Sequence, residues 1–284
     1  MIYVKFYMFN NNMFYFVKGD TRGDTRGDTG GDTRGDTRGD TKGKNKDYIE
    51  KFWVGLLEGD GSIVVRNNRK KQIYGSFEIS LKNLPANVDM LQTISQVIGG
   101  RLYYEKKKGI IIKVKWIALA NKDFNNCVSI LNRYPLLTTR KICQYNHLQK
   151  CFLHKTWDYH LKERAFKYKD VSSLVNSYNK SFPLPSYYPQ WLSGFIEAEG
   201  CFRYRNKKRT SFYISQNSDF YILNSIRKFF HANHTIGIQK DSRTSMTQYR
   251  ISFSGKSFMD RLDKHLHEFP LLGEKRRCFL LWQK

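Results

Sequence analysis

The segment Trp53-Val54-Gly55-Leu56-Leu57-Glu58-Gly59-Asp60-Gly61 recurs, in pattern, as Leu192-Ser193-Gly194-Phe195-Ile196-Glu197-Ala198-Glu199-Gly200. Each copy is an apolar stretch with an internal glycine that ends in acid-x-acid-Gly. A motif written twice constrains the chain to two like halves, each delivering one carboxylate, Asp60 or Glu199, to a shared place. Gly55 and Gly194 stand five residues before those acids, where the missing side chain lets two helix backbones approach. Val54, Leu57, Phe195 and Ile196 are expected to fill the seam around them. If the two helices pack in parallel, Asp60 and Glu199 meet at one end. Two carboxylates so placed repel each other unless cations lie between them. Hard oxygen ligands with open positions suit Mg²⁺, with Mn²⁺ as a substitute. Glu58 and Glu197, two residues from those acids, point off the seam and are read as structural groups that bond backbone or a basic neighbour.

Further echoes support duplication. Phe77-Glu78-Ile79-Ser80 answers Phe212-Tyr213-Ile214-Ser215, Asn121-Lys122-Asp123-Phe124 answers Gly255-Lys256-Ser257-Phe258, and Tyr134-Pro135-Leu136-Leu137 answers Phe269-Pro270-Leu271-Leu272. They follow the motifs in the same order. The spacing predicts, in each half, a motif helix, two strands, a helix, two strands and further helices, with Pro85 and Pro135 opening helices and Gly99-Gly100 closing one. The first half is assigned to residues 44–154, a proline-bearing linker to 155–189, and the second half to 190–284. Residues 19–42 repeat Gly-Asp-Thr-Arg with almost no apolar content, and 1–43 is read as a disordered extension. The Arg-Gly-Asp triplets inside it follow from the repeat and carry no adhesion function.

The chain has 284 residues and a formal net charge of +24. The repeat holds six Asp against four Arg and one Lys, so the basic excess lies elsewhere. Such a charge implies a polyanionic partner. Nucleic acid fits better than a membrane surface, because no basic amphipathic helix with a clean apolar face and no membrane-spanning run is present. After each motif comes a basic two-strand region: Arg66 and Arg69-Lys70-Lys71 in the first half, Arg203, Arg205 and Lys207-Lys208-Arg209 in the second. A twisted two-stranded ribbon fits the DNA major groove, where such side chains read base edges. Lys122 and Lys256 hold equivalent strand-to-helix positions and are candidates for stabilising charge on a phosphorane. The five cysteines contain no CxxC, which argues against a zinc ribbon and a disulfide framework. Cys143, His147, Cys151 and His154 share one helix face, and with no second cluster to complete a site they are read as packing, as are His231, His234, His265 and His267.

These residues resemble the LAGLIDADG homing endonucleases of the single-chain, two-motif type. The resemblance covers about residues 44–284. It implies an α+β fold with pseudo-two-fold duplicated αββαββα halves, two antiparallel four-stranded sheets forming a DNA-binding saddle, and the motif helices at the interface. It implies metal bound by Asp60 and Glu199, with the carbonyls of Gly59 and Ala198 as further ligands, Lys122 and Lys256 beside a metal-bound water, and Gln216 organising solvent there. Leu81 stands where the second half has Gln216, so the two strand-cleaving sites are expected to be unequal. The implied activity is Mg²⁺-dependent double-strand cleavage across the minor groove of a duplex DNA site by a monomer, leaving short 3′ overhangs and promoting intron mobility. The alternative is an RNA maturase that binds its host intron RNA. The retained carboxylates favour the nuclease. A plain DNA-binding repressor is a further rival, and it predicts metal-independent binding without a product. A composition rich in Lys, Asn, Ile, Phe and Tyr fits AT-rich codons and a fungal mitochondrial gene.

Overall fold

The computed structural model describes residues 6–9, 12–15, 38–205, 208–240 and 247–283. Residues 19–37 of the repeat at 19–42, and most of the N-terminal extension, therefore lie outside the described residues, as do Lys207 and the side chains of Arg205, Lys208 and Arg209. Near the N-terminus, β1 (Phe6–Phe9) pairs antiparallel with β2 (Asn12–Tyr15).

The rest of the chain repeats one plan twice. The first motif closes helix α1 (Arg38–Asp60), which begins inside the last copies of the repeat. Then follow β3 (Gly61–Asn67), β4 (Ile73–Lys82), α2 (Pro85–Ile98), β5 (Arg101–Lys107), β6 (Ile110–Ala118), α3 (Asn121–Arg133) and α4 (Thr139–His154). The segment expected as a linker carries two short helices, α5 (Trp157–Glu163) and α6 (Val171–Lys180). The second copy runs α7 (Tyr188–Glu199), β7 (Cys201–Arg205), β8 (Lys208–Asn217), α8 (Phe220–Phe229), β9 (Ile236–Lys240), β10 (Thr247–Phe253), α9 (Lys256–Glu268) and α10 (Glu274–Trp282). Each half builds a four-stranded antiparallel sheet, ordered β3-β4-β6-β5 in one and β7-β8-β10-β9 in the other. Among the described residues no helix is long and apolar enough to cross a membrane.

Strand alternation decides which way each sheet faces. In the first sheet, Phe77, Ile79, Val114 and Trp116 are fully buried beneath the helices. The intervening residues Arg66, Ser76, Glu78, Ser80 and Lys115 occupy the opposite face. In the second sheet Phe212, Ile214, Ile251 and Phe253 are buried, and Arg203, Tyr213, Ser215 and Arg250 alternate with them.

The two motif helices hold the halves together through backbone contact. A Cβ added at Gly55 would overlap the Trp191 carbonyl oxygen and come within 2.7 Å of the Phe195 nitrogen. One added at Gly194 would overlap the Phe52 carbonyl and come within 2.9 Å of the Leu56 nitrogen. Further along, Gly59 lies against the Ala198 methyl group. Phe52, Gly55, Leu56 and Gly59 recur at helical spacing, and Trp191, Gly194, Phe195 and Ala198 are their equivalents. Of the residues expected in the seam, Phe195 lies at this crossing. Leu57 and Ile196, fully buried, pack against the closing glycines Gly61 and Gly200. Val54 is fully buried in the core. Trp53 turns onto the first sheet, edge-on to Phe77 and Trp116 at centroid distances of 6.0 and 5.9 Å.

Tyrosines lock the same seam reciprocally. Tyr48 of α1 donates to the Pro270 carbonyl at 2.6 Å, and Tyr187, at the start of α7, donates to the Pro135 carbonyl. Each half thus ties down the Pro-Leu-Leu segment of the other.

Alanine normally exceeds glycine in a helix by about 1 kcal/mol. At this crossing the sign reverses. Gly55→Ala or Gly194→Ala is expected to destabilise the protein by about 3 kcal/mol or more, because the added methyl meets backbone that cannot rotate away. Thermal unfolding should show a melting temperature lowered by roughly 6–12 °C. An unchanged or raised value in both variants would contradict the contact.

Candidate active site

No loop separates the motif helices from the strands that follow. α1 ends at Asp60 and β3 begins at Gly61; α7 ends at Glu199 and β7 begins two residues later. The turn is so tight that a Cβ on Gly61 would sit 2.5 Å from the Leu57 carbonyl oxygen, and one on Gly200 2.7 Å from that of Ile196. Only glycine closes each motif without a clash. The acid before it is therefore fixed at the junction of helix and sheet.

The inner acids serve the fold. Buried Glu58 accepts from the backbone N–H of Leu137 at 2.8 Å, from that of Thr138, and from the Trp191 indole at 2.8 Å. Buried Glu197 accepts from the N–H groups of Leu272, Gly273 and Lys275 at 3.2, 3.1 and 2.9 Å. These are the free donors at the starts of α4 and α10, neither of which has a capping side chain on its own N-cap residue. Each start also receives a cap from the opposite half. Asp219 accepts from the Thr139 N–H at 3.0 Å and the Thr139 hydroxyl at 2.5 Å, while Asn87 accepts from the Glu274 N–H at 3.1 Å.

So positioned, α4 and α10 each send one lysine to the motif ends. Lys141 donates to the Gly61 carbonyl and Lys275 to the Gly200 carbonyl. Desolvation raises the pKa of Asp60 to about 6, against the pull of Lys275 and Lys141. Desolvation, then repulsion from Asp60, raises Glu199 to about 7, again opposed by Lys141 and Lys275. The Glu199 side chain lies along Gly59, within 3.4 Å of where a Cβ would stand. Two carboxylates and two lysines, one of each from either half, thus form one electrostatic group at the end of the paired helices.

The LAGLIDADG endonuclease family matches over residues 53–152 and 192–284, the two halves described above. The chain belongs to the LAGLIDADG endonuclease family. It is 37% identical over 232 residues to a probable intron-encoded endonuclease aI3 of Dictyostelium citrinum, covering 81% of this chain and 92% of that one. It is 33% identical over 269 residues to a protein of the same description from Debaryomyces hansenii, covering 84% of this chain but only 38% of that relative's length. Among solved structures, the LAGLIDADG homing endonuclease I-LtrWI bound to target DNA superposes with a TM-score of 0.60 at 18% identity, over 84% of this chain and 89% of that one. I-SmaMI bound to an uncleaved DNA target in the presence of calcium ions superposes with a TM-score of 0.54 at 17% identity, over 82% and 89%. These structures share the α+β fold of two four-stranded sheets.

Within this LAGLIDADG protein the expected site residues separate into groups. Asp60, Glu199, Gly59 and Ala198 come together at the helix ends. Lys122 and Lys256 do not join them. Lys122 is exposed on the first turn of α3, and Lys256, 87% exposed at the start of α9, pairs with Asp260 at 2.8 Å. The cations that act on the two acids are Lys141 and Lys275. Gln216 is the last residue but one of β8, in the same alternation as Phe212 and Ile214, and its side-chain oxygen accepts from the Asn217 N–H at 3.2 Å.

Of the basic residues, Arg69, Lys70 and Lys71 stand exposed on the β3–β4 turn. Asn68 shapes that turn by accepting from the N–H groups of Lys70 and Gln72 at 2.9 and 3.0 Å. Arg66 is engaged within the sheet, paired with Glu78 and bonded to Ser76 at 3.2 Å, and Lys115 reaches the same glutamate at 3.5 Å. In the second sheet Arg203 and Arg250 lie over the Tyr213 ring, at 4.8 and 3.9 Å from its centroid. His265 is buried against Ser193 at 3.2 Å and His234 bonds Ser254 at 3.1 Å, both in packing roles.

Because the folded pKa values of Asp60 and Glu199 lie above those of the unfolded chain, ionising them costs stability. That contribution is favourable below about pH 4 and is lost as pH rises through 6 and 7. Metal-free protein is therefore expected to lose melting temperature between pH 5 and 8, and Glu199→Gln to flatten the decline. Differential scanning calorimetry of the two proteins across that range checks this, and parallel curves would refute it.

Proposed function

We propose that this chain is a site-specific endonuclease that cuts both strands of a duplex DNA site, with divalent metal held by Asp60 and Glu199. The observation that carries the reading is the meeting of one carboxylate from each half, where burial and mutual repulsion oppose ionisation. The donor set fits a hard cation: two carboxylates, with the Gly59 and Ala198 carbonyls at the negative ends of their helices as further oxygen ligands. Mg²⁺ suits it, and Mn²⁺ is the natural substitute. That I-SmaMI was solved on uncleaved DNA in the presence of calcium ions is in keeping with a divalent site of this kind. When bound, such metal supplies Lewis-acid stabilisation of phosphoryl oxygens and a nucleophilic water at neutral pH.

The chain's own groups have separable tasks. Asp60 and Glu199 hold positive charge at one end of the seam, each on the strand junction of its own half. Lys141 and Lys275, anchored on the motif carbonyls, set a positive group beside each acid, where it partly offsets the desolvation of the carboxylate and would offset charge on the scissile phosphate. Lys122 and Lys256, at the starts of α3 and α9, are better placed to contact flanking backbone phosphate. The exposed Arg69-Lys70-Lys71 turn and the Arg203 face would follow the duplex, and Arg205, Lys207, Lys208 and Arg209 add positive charge nearby in sequence. Gln216 in one half and Leu81 in the other make the two strand cuts unequal in rate. Both halves lie in one chain, so a monomer suffices. The intron-encoded description of its relatives, and the name of a Saccharomyces cerevisiae relative as an uncharacterized mitochondrial protein (27% identity over 183 residues), support an intron-mobility role in mitochondria.

The test is cleavage of a randomised duplex library, followed by assay of the selected site with and without Mg²⁺. Asp60→Asn and Glu199→Gln are each expected to lower cutting at least ~100-fold, beyond the roughly 10–100-fold typical of groups that only orient a ligand. Lys141→Met and Lys275→Met should lower kcat more than Lys122→Met and Lys256→Met do. Tight binding with no cut under any divalent metal would sink the enzyme reading and put an RNA maturase in its place.

A further inference from the structure

A second side-chain cluster lies apart from the carboxylates. His147 and Cys151 are one turn apart on α4, and both are buried. After α4 the chain reverses at Lys155, whose φ of 54° is left-handed, and Thr156 caps α5 by accepting from the Tyr159 N–H at 3.3 Å. That reversal returns His160 to the same spot. His147 Nε2 and His160 Nδ1 are 3.1 Å apart; Cys151 Sγ is 3.5 Å from the first and 3.8 Å from the second.

We propose that His147, Cys151 and His160 form a zinc site that fastens α5, the first helix of the connection between the halves, onto α4. With Zn–N of about 2.05 Å and Zn–S of about 2.3 Å, a tetrahedral ion needs its nitrogen ligands about 3.3 Å apart and nitrogen and sulfur about 3.6 Å apart. The observed triangle matches those edges to within a few tenths of an ångström. Two imidazoles and a thiolate select a borderline-soft ion over Mg²⁺ or Ca²⁺. Trp157 stacks on the His160 ring at 4.5 Å and 22°, holding one ligand in orientation. A small cavity opens beside His147, with room for a water to take the fourth position.

The site also answers a structural need. α5 has no fully buried residue; half-buried Trp157 and Tyr159, the latter stacked on His154 of α4, give it a thin attachment. A metal bridge strengthens that attachment, as metal ligation does in small domains with little core. Of the four residues singled out along α4, the fold gathers His147 and Cys151. His154 stacks on Tyr159 at 3.9 Å instead, and Cys143 is a separate buried thiol.

The competing account is a hydrogen-bonded cluster in which the two histidines share one proton and the thiol packs beside them. The experiment uses the full chain, stripped of metal and titrated with Co²⁺. The expected result is one tetrahedral Co²⁺ per chain, with intense visible bands and a thiolate charge-transfer band displaced by Zn²⁺, whatever weaker-absorbing Co²⁺ the oxygen ligands of Asp60 and Glu199 also take. Cys151→Ser should remove the charge-transfer band, and His160→Ala should weaken binding at least ~10-fold. Cys143→Ser and Asp60→Asn should leave both bands in place. In hydrogen exchange, Zn²⁺ should protect the α5 amides of the wild type but not those of His160→Ala. His160 is only half-buried, so that variant keeps the test decisive if Cys151→Ser fails to fold. Absence of a thiolate band, or a band that survives in both Cys151→Ser and His160→Ala, would leave only the hydrogen-bonded cluster.

Discussion

Backbone-to-backbone contact at Gly55 and Gly194 is the constraint on which the rest of the molecule depends. Two helices can approach this closely only where neither carries a side chain. Once they do, every equivalent residue is placed by the same pseudo-two-fold relation. Gly59 meets Ala198 further along the seam, and the acids that follow are delivered to one end. Because each helix passes into a strand with no intervening loop, the seam also orients the polar face of each sheet.

Delivery of two acids to one place is electrostatically unfavourable, and the surroundings show how the fold tolerates it. Glu58 and Glu197 use the free N–H groups at the starts of α4 and α10, so those inner acids are satisfied by backbone. The helices they hold carry Lys141 and Lys275 back to the motif carbonyls, beside Asp60 and Glu199. The inner acid of each motif thus positions the cation that tempers the outer one. Reciprocal caps from Asp219 and Asn87, and reciprocal tyrosine bonds to Pro135 and Pro270, carry this arrangement across the seam.

Much of this was legible in the chain because duplication is a sequence property. The glycine and acid spacing of the motifs, the paired Phe blocks and the Pro-Leu-Leu segments place the helices, the sheets and the two carboxylates. The lysine pair was hidden for a physical reason. Aligning Pro135 with Pro270 sets Lys141 opposite Arg276, so Lys141 and Lys275 look unrelated in register, although both reach equivalent carbonyls. Lys122 and Lys256 match in register, yet their helices begin away from the seam. Arg66 reads as a free cation because its partner Glu78 lies on the neighbouring strand, a relation that only pairing of β3 with β4 creates. His160 is invisible along any single helix face, since a left-handed residue at Lys155 is what folds it back.

The direct passage from motif helix to strand has a consequence for how such a protein changes over time. In each half, the acid and the strands that follow it form one stiff unit, joined to its counterpart by the helix seam and by the reciprocal caps and tyrosine bonds. A half could be exchanged for that of a relative, carrying its own sheet face and its own acid together, provided the seam and those reciprocal contacts still fit. Variation on the sheet faces is then separated from the pair of acids, and new sheet faces can be acquired by recombining halves rather than by rebuilding the seam.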